Sequence, residues 1–380
     1  MSRILLWAVL FFSARVYSQD STIHLRISVV TCAPGTELYS IFGHTAIRII
    51  DSIRQTDLIY NYGTFDFNDP DFYMKFTRGK LDYMLSVSTV PDFMYEYQSE
   101  NRDVHEQVLK IPNSSKQNIQ NALTQNLSGP SRYYKYDFLY NNCTTRIRDL
   151  LFKYAGLQPD HVLIPEGTSF RNMLHEYLNK GNQPWSKLGI DLLLGSPIDK
   201  KVDITNSMFL PDYLMKGIDS STKSKTANIL QEKQLLNKGT APTESFTNTP
   251  LLLFSIFSVI LIALSFLKKK PVQVFVKWAD CLVLLITGLL GCLLLFMWFG
   301  SDHKACAANY NLLWALPTNL IAALAIWKNP SWLKKYFRVC MIIHLLTVLL
   351  WFWLPQQLNI ALLPIAVLLL QRCWQLKNSA

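Results

Sequence analysis

The chain is 380 residues long, half of them apolar, with a formal net charge of +10. Its long apolar runs fall after residue 250, which excludes a wholly soluble protein and leaves room for a separate domain in front. Much of the positive charge flanks those runs, so membrane orientation explains it more simply than a nucleic-acid partner.

The first residues read as a signal peptide, 1–18. Arg3 supplies the positive charge, residues 4–12 an apolar core too short to span a bilayer, and Val16-Tyr17-Ser18 fits cleavage before Gln19. An uncleaved anchor is the alternative, and either way residues 19–216 are exported. That stretch reads as α+β. Strands are expected at 24–30, 44–50, 58–67, 72–76, 81–87 and 106–111, and Cys32-Ala33-Pro34-Gly35 as a turn. A hairpin centred near Arg54 brings His44 close to residues 61–64. Helices are expected from Pro112-Asn113-Ser114-Ser115 to about residue 127, from Cys143 onward, and near 170–178.

Residues 136–154, YDFLYNNCTTRIRDLLFKY, carry the chemistry. Ile147, Leu150, Leu151 and Tyr154 recur at the spacing of one helix face. Asn142 is a favoured N-cap, which puts Cys143 in the first turn, where free N–H groups and the dipole favour thiolate over thiol. A thiol nucleophile needs a base and a group that orients the base. His44, at the start of a strand, is the candidate base, and the hairpin offers Asn61 first and Thr64 second as the orienting residue. The blander alternatives for Cys143 are a small buried hydrophobe or half of a disulfide with Cys32, the other cysteine of the mature soluble part. CxxC, HExxH, GxSxG and Gly-rich phosphate-loop patterns do not occur, so no metal or cofactor is expected.

Residues 217–249, rich in Ser, Thr, Lys and Asn, read as a solvated linker. Residues 250–380 read as an all-α membrane domain of about five spans: 250–267, 281–300, 312–327, 339–354 and a short fifth at 358–371, tilted or re-entrant. With an exported front domain, Lys268, Lys269, Lys270, Lys334, Lys335 and Arg338 fall inside and only Lys304 outside, so the positive-inside bias agrees with the signal peptide. The outer loop 301–311 holds Asp302, His303, Asn309 and Asn311. His303, Asn309 and Asn311 are candidates to bind a lipid head group or an incoming lipoprotein, against the alternative of an ordinary polar loop.

Several stretches resemble the Lnb-type lipoprotein N-acyltransferase family: LYSIFGHTAIRI (38–49), YNYGTFDF (60–67), GKLDYML (79–85), YDFLYNNCTTRIRDLL (136–151), GIDLLLG (189–195), MFLPDYL (208–214) and SDHKACAANYNLLWALPTNL (301–320). The resemblance implies a circularly permuted papain-like (NlpC/P60-like) cysteine-enzyme domain, with His before Cys, followed by the multi-span membrane domain. It implies Cys143 as nucleophile and His44 as base. It further implies acyl transfer from a phospholipid, through a Cys143 thioester, to the α-amino group of a diacylglyceryl-cysteine lipoprotein, at the bacterial inner membrane with the catalytic domain periplasmic and the C-terminus cytoplasmic. The Cys143 backbone N–H, with the Asn142 side chain, is the expected oxyanion support. An NlpC/P60-like peptidase that passes the acyl group to water is the alternative enzyme. A membrane-anchored binding factor with a Cys32–Cys143 disulfide is the non-enzymatic alternative.

Overall fold

A computed structural model describes residues 24–37, 39–66, 68–159, 163–221, 228–239 and 246–379. The expected signal peptide lies outside these residues. The front half is built on one seven-stranded antiparallel sheet of order β6-β4-β3-β2-β1-β5-β7. Its central strands, β1 (Leu25–Cys32), β2 (His44–Asp51) and β3 (Thr56–Thr64), are covered on both faces, which period-two alternation makes possible. Leu25, Ile27 and Val29 of β1 join Ile47 and Ile49 of β2 in one core. Val30 and Cys32 join Ala46 and Ile59 in another.

The first core is closed by Ile119 and Leu123 of α3 (Asn113–Leu127), Ile147 of α4 (Cys143–Leu150), and Leu214 and Ile218 of α8 (Pro211–Ser220). The second is closed by Phe93, Met94 and Tyr97 of α2 (Val90–Ser99), a helix started by Thr89, which accepts the Asp92 N–H. The turn between β2 and β3 spans residues 52–55, with Asp51 opposite Thr56, so the expected hairpin forms where the sequence put it. β4 (Asp82–Thr89), β5 (Val104–Leu109) and β6 (Tyr133–Lys135) complete the sheet with β7.

Two expectations are corrected. Residues 72–76 form a helix, α1 (Phe72–Thr77), and not a strand: Phe72 and Phe76, four apart, stack on each other, and Phe72 also meets Phe65, a pairing only helical spacing allows. The expected linker also contains structure. α8 runs on to Ser220, and Leu230–Asn237 is β7, which pairs with β5 and hydrogen-bonds its exposed edge. Polar composition misled here because an edge strand keeps one solvated face.

The membrane part holds α9 (Thr249–Ser265), α10 (Lys270–Phe299), α11 (Asn319–Ala325), α12 (Trp332–Leu349) and α13 (Leu363–Ser379). Among the described residues, two helical stretches, Lys270–Phe299 and Ile360–Asn378, are long and apolar enough to cross a bilayer, and α9 is a shorter apolar helix. The expected third span, 312–327, is not one continuous helix: only α11 is α-helical, after a 3₁₀ turn at Tyr310–Leu313. Side-chain hydrogen bonds hold this broken stretch in place. Trp314 Nε1 donates to Asn311 Oδ1 (2.9 Å), Asn319 Nδ2 to Thr287 Oγ1 (3.0 Å) and Tyr336 Oη to Asn319 Oδ1 (2.6 Å).

The two halves meet through α6 (Pro184–Leu193). Its Leu188 packs in one cluster with Trp314, Trp351 and Leu362 of the membrane part. Beneath it Arg171 of α5 (Phe170–Lys180) donates to Asp191 (2.6 Å) and Asp199 (2.9 Å), and Asp191 also meets His175 (2.8 Å) and Asn359 (2.9 Å). Gly195 sits against the outer loop: its N–H donates to the Ala305 carbonyl, and a Cβ there would overlap the Ala307 carbonyl. Gly195→Ala is therefore expected to loosen this junction at a cost of about 1–3 kcal/mol. A lowered thermal midpoint of the detergent-solubilised full chain, with faster protease cleavage near residue 195, is the measurement.

Candidate active site

The helix that carries Cys143 is fastened at its first turn. Asn142 Oδ1 accepts the Thr145 N–H (2.8 Å), and the Asn142 N–H donates back to Thr145 Oγ1 (2.8 Å), a reciprocal capping box. One residue on, Thr144 Oγ1 meets Thr45 Oγ1 of β2 at 3.1 Å in a buried contact. That bond ties the start of α4 to the residue after His44. Gly43, with φ +77, makes the turn into β2, and a Cβ there would come within 2.6 Å of the Cys32 carbonyl. Gly63, with φ +95 at the irregularity in β3, lies against the Cys143 Cβ from the other side.

These constraints bring Cys143, His44 and Asn61 into one line. His44 and Cys143 lie close enough to shift each other's titration, and His44 Nε2 lies 3.2 Å from Asn61 Oδ1. Asn61 Nδ2 donates to Ser88 Oγ of β4 (3.3 Å), so the amide presents its oxygen to the ring. An oxygen there requires a proton on Nε2, which makes Nδ1 the basic nitrogen. Cys143 and His44 are each partly buried.

The electrostatics reinforce the pairing. Burial pushes the Cys143 thiol up, but the His44 charge and hydrogen bond, the Thr45 N–H and the Thr144 hydroxyl outweigh it, and the net shift is downward. Burial pushes His44 down, but the Cys143 charge and the hydrogen bonds to Cys143 and Asn61 outweigh it, and the net shift is upward. Opposite shifts on two interacting groups favour the thiolate–imidazolium form of the pair over what either group would show alone.

Other candidates have different places. Cys32, opposite His44 across β1 and β2, is fully buried and unpaired, and burial pushes its thiol well up. Thr64 Oγ1 meets Ser86 Oγ at 2.7 Å. Asn142 gives both amide hydrogens to backbone carbonyls, Phe138 (2.7 Å) and Phe209 (2.9 Å), so its side chain caps a helix and ties a loop and has no donor left for an oxyanion. The outer-loop residues are corrected too. Asn309 and Asn311 are buried and donate to the Leu192 and Asp191 carbonyls of α6, and His303 Nε2 meets the Phe76 carbonyl at 2.9 Å. Asn309 and Asn311 dock the front domain on the membrane part, and His303, partly exposed, ties α1 to the outer loop. Their polarity signalled an interface, and sequence could not separate a protein partner from a lipid one. Sequence reasoning missed Thr45, Thr144, Ser88 and Gly63. Ser86, inside the expected strand 81–87, and Ser88, one residue past its end, were the one readable hint of a polar face.

Alkylation of Cys143 requires thiolate, so its rate rises with pH through the lowered thiol pKa. In His44→Ala the main lowering influence is gone while burial remains, so the midpoint moves up and the rate at neutral pH falls roughly tenfold or more. Asn61→Ala keeps the ring but frees its orientation, and a smaller upward shift is expected. Iodoacetamide labelling of Cys143, followed by peptide mass spectrometry across pH, checks both.

Two family models match the chain: the Lnb N-terminal periplasmic domain over residues 13–173 and the Lnb transmembrane domain over residues 242–377. No curated protein and no solved structure matches it. Both models belong to one family, and they occur in the order the fold shows, sheet domain first and apolar helices second. The chain therefore belongs to the Lnb-type lipoprotein N-acyltransferase family, with that family's periplasmic domain followed by its transmembrane domain.

Proposed function

We propose that this chain moves an acyl chain from a phospholipid to the α-amino group of a diacylglyceryl-cysteine lipoprotein by way of a Cys143 thioester. The observation that carries the reading is the Cys143–His44–Asn61 line, held in a domain that is docked on a membrane part. A thiolate, a basic imidazole nitrogen and a group orienting that imidazole are what acyl transfer through sulfur needs. Apolar helices suit a reaction whose donor and acceptor both live in a bilayer. The His-before-Cys order, with the nucleophile opening a helix packed on an antiparallel sheet, supports a permuted papain-like relationship.

Thiolate Cys143 attacks the ester carbonyl, and a carbon–sulfur bond forms. The oxyanion collects at the start of α4, where the Cys143 backbone N–H is one of the first-turn donors without an intrahelical partner. As the carbon–oxygen bond breaks, imidazolium His44 gives its proton to the leaving glycerol oxygen and a lysophospholipid departs. The free α-amino group then attacks the thioester, neutral His44 takes the amine proton, and the carbon–sulfur bond breaks to return thiolate. Asn61 holds the ring in the tautomer both halves require. The soluble domain is periplasmic in this reading. The C-terminus is cytoplasmic, as the lysines and arginine at one set of helix ends favour. A peptidase using the same pair would need water as second acceptor, and nothing in the site favours that outcome.

Incubation of the purified full chain with radiolabelled phospholipid vesicles is expected to give a labelled protein that hydroxylamine strips. Cys143→Ser should give none, and His44→Ala should lower the yield at least about a hundredfold. Mass spectrometry of a lipoprotein N-terminus from cells with the intact gene and with Cys143→Ser completes the check. An N-acylated terminus that persists in the Cys143→Ser cells would overturn the reading.

A further inference from the structure

The helix α1 follows the strand that carries Asn61 and Gly63, and it is unusual for an exported domain. Tyr73 is 83% exposed, Met74 61% and Phe76 51%. Three large apolar side chains within four residues is a face that water disfavours, while scattered single residues would need no explanation. Its place in the fold gives this face a neighbour. The Asp302 N–H donates to the Arg78 carbonyl (2.9 Å), and His303 Nε2 meets the Phe76 carbonyl (2.9 Å). Asp302 and His303 follow directly on α10, the 30-residue apolar helix, whose last residues Trp298 and Phe299 stack on each other. α1 is thus pinned a few residues beyond the end of a membrane-spanning helix, at the level where aromatic residues mark the bilayer interface. Arg78 and Lys80, beside it, are exposed.

Behind the exposed face runs a row of rings. Phe76 stacks on Phe72 (6.1 Å between centroids), Phe72 meets Phe65 (5.6 Å), Phe65 meets Tyr83 (5.2 Å), and Tyr83 stacks on Tyr136 (4.4 Å). Tyr83, Tyr136 and Cys143 pack on the same core, and Phe65, Tyr83 and Tyr136 are each only partly buried. The row therefore leads from the bilayer interface towards the reacting sulfur, with Phe72 buried and the rings of Phe65, Tyr83 and Tyr136 partly open.

We propose that the exposed face of α1 sits in the outer leaflet of the bilayer, and that phospholipid chains pass from there towards Cys143 along the Phe72–Phe65–Tyr83–Tyr136 row. The inference rests on the acyl-transfer reading for its purpose, but the contact it asserts is physical and can be tested without turnover. The surface is continuous with the membrane part through the Arg78 and Phe76 carbonyls, which is why lipid, and not a second protein, is the occupant.

The test uses the full chain in nanodiscs of phosphatidylethanolamine and phosphatidylglycerol. A photoreactive benzoylphenylalanine replaces Met74, Tyr83 or, as control, Tyr95 of α2, which is 75% exposed. Irradiation is expected to add a phospholipid mass at positions 74 and 83 and none at 95. No adduct at 74, no adduct at 83, or equal adducts at all three positions would overturn the proposal. In parallel, Phe76→Asp is expected to slow Cys143 acylation from nanodisc phospholipid roughly tenfold while iodoacetamide labelling of Cys143 stays unchanged. An unchanged acylation rate would overturn the chain path. Adducts at 74 and 83 without any acyl-Cys143 in the unaltered protein would sink the acyltransferase reading and leave the lipid contact standing.

Discussion

A buried hydroxyl pair, Thr45 to Thr144, joins the second strand to the first turn of α4. The residues flanking that pair, His44 and Cys143, have no freedom to separate while it holds. The capping box at Asn142 works to the same end, because it sets where the helix begins and so which residue faces its unpaired N–H groups. A shift of α4 by one residue would turn the thiol about 100° around the helix axis and break its contact with His44. The site is thus a consequence of helix placement, and the neighbouring glycines, Gly43 and Gly63, let that placement be close.

A second buried polar group decides where the site sits relative to the membrane. Arg171, Asp191, His175 and Asn359 form a network at the junction, with Asn309, Asn311 and Gln356 covering the carbonyls at the end of α6. Burying an Arg–Asp pair brings little net stability, because desolvation offsets most of the attraction. Losing Asp191, however, leaves the buried Arg171 with Asp199 alone as carboxylate partner, and losing Arg171 leaves the buried Asp191 carboxylate with only His175 and Asn359. Such a network favours one docking geometry over near alternatives, which sliding apolar surfaces alone would not do. Catalytic geometry and docking geometry are then linked, since α1 leaves the strand that carries Asn61 and is held by the outer loop that the network also orders.

Most of the strands and the hairpin near Arg54 were legible because apolar residues recurring with period two leave a trace, as in Leu25, Ile27 and Val29. The Asn142 cap and the Cys143 helix were legible because capping is local chemistry. What misled were segments whose state depends on distant partners. The aromatic run at 72–76 has strand propensity, yet ring stacking at helical spacing decided it. The polar run holding β7 looks unstructured until β5 offers an edge. Asn309 and Asn311 look like ligands for something polar, and their partners turned out to be carbonyls of α6, more than a hundred residues away.

The sequence offered His44 as a candidate partner for Cys143, and by itself determined the division into a soluble front and an apolar back, most of the strand pattern and the capped helix. These rest on residue types and short spacings, which a chain carries before it folds. Tertiary structure alone decided that Asn61 and not Thr64 meets the imidazole, that Cys32 is a free and fully buried thiol, and that the outer loop holds protein. Each of those outcomes depends on which buried donor finds which acceptor, and a one-dimensional pattern does not encode such a choice between partners of the same chemistry.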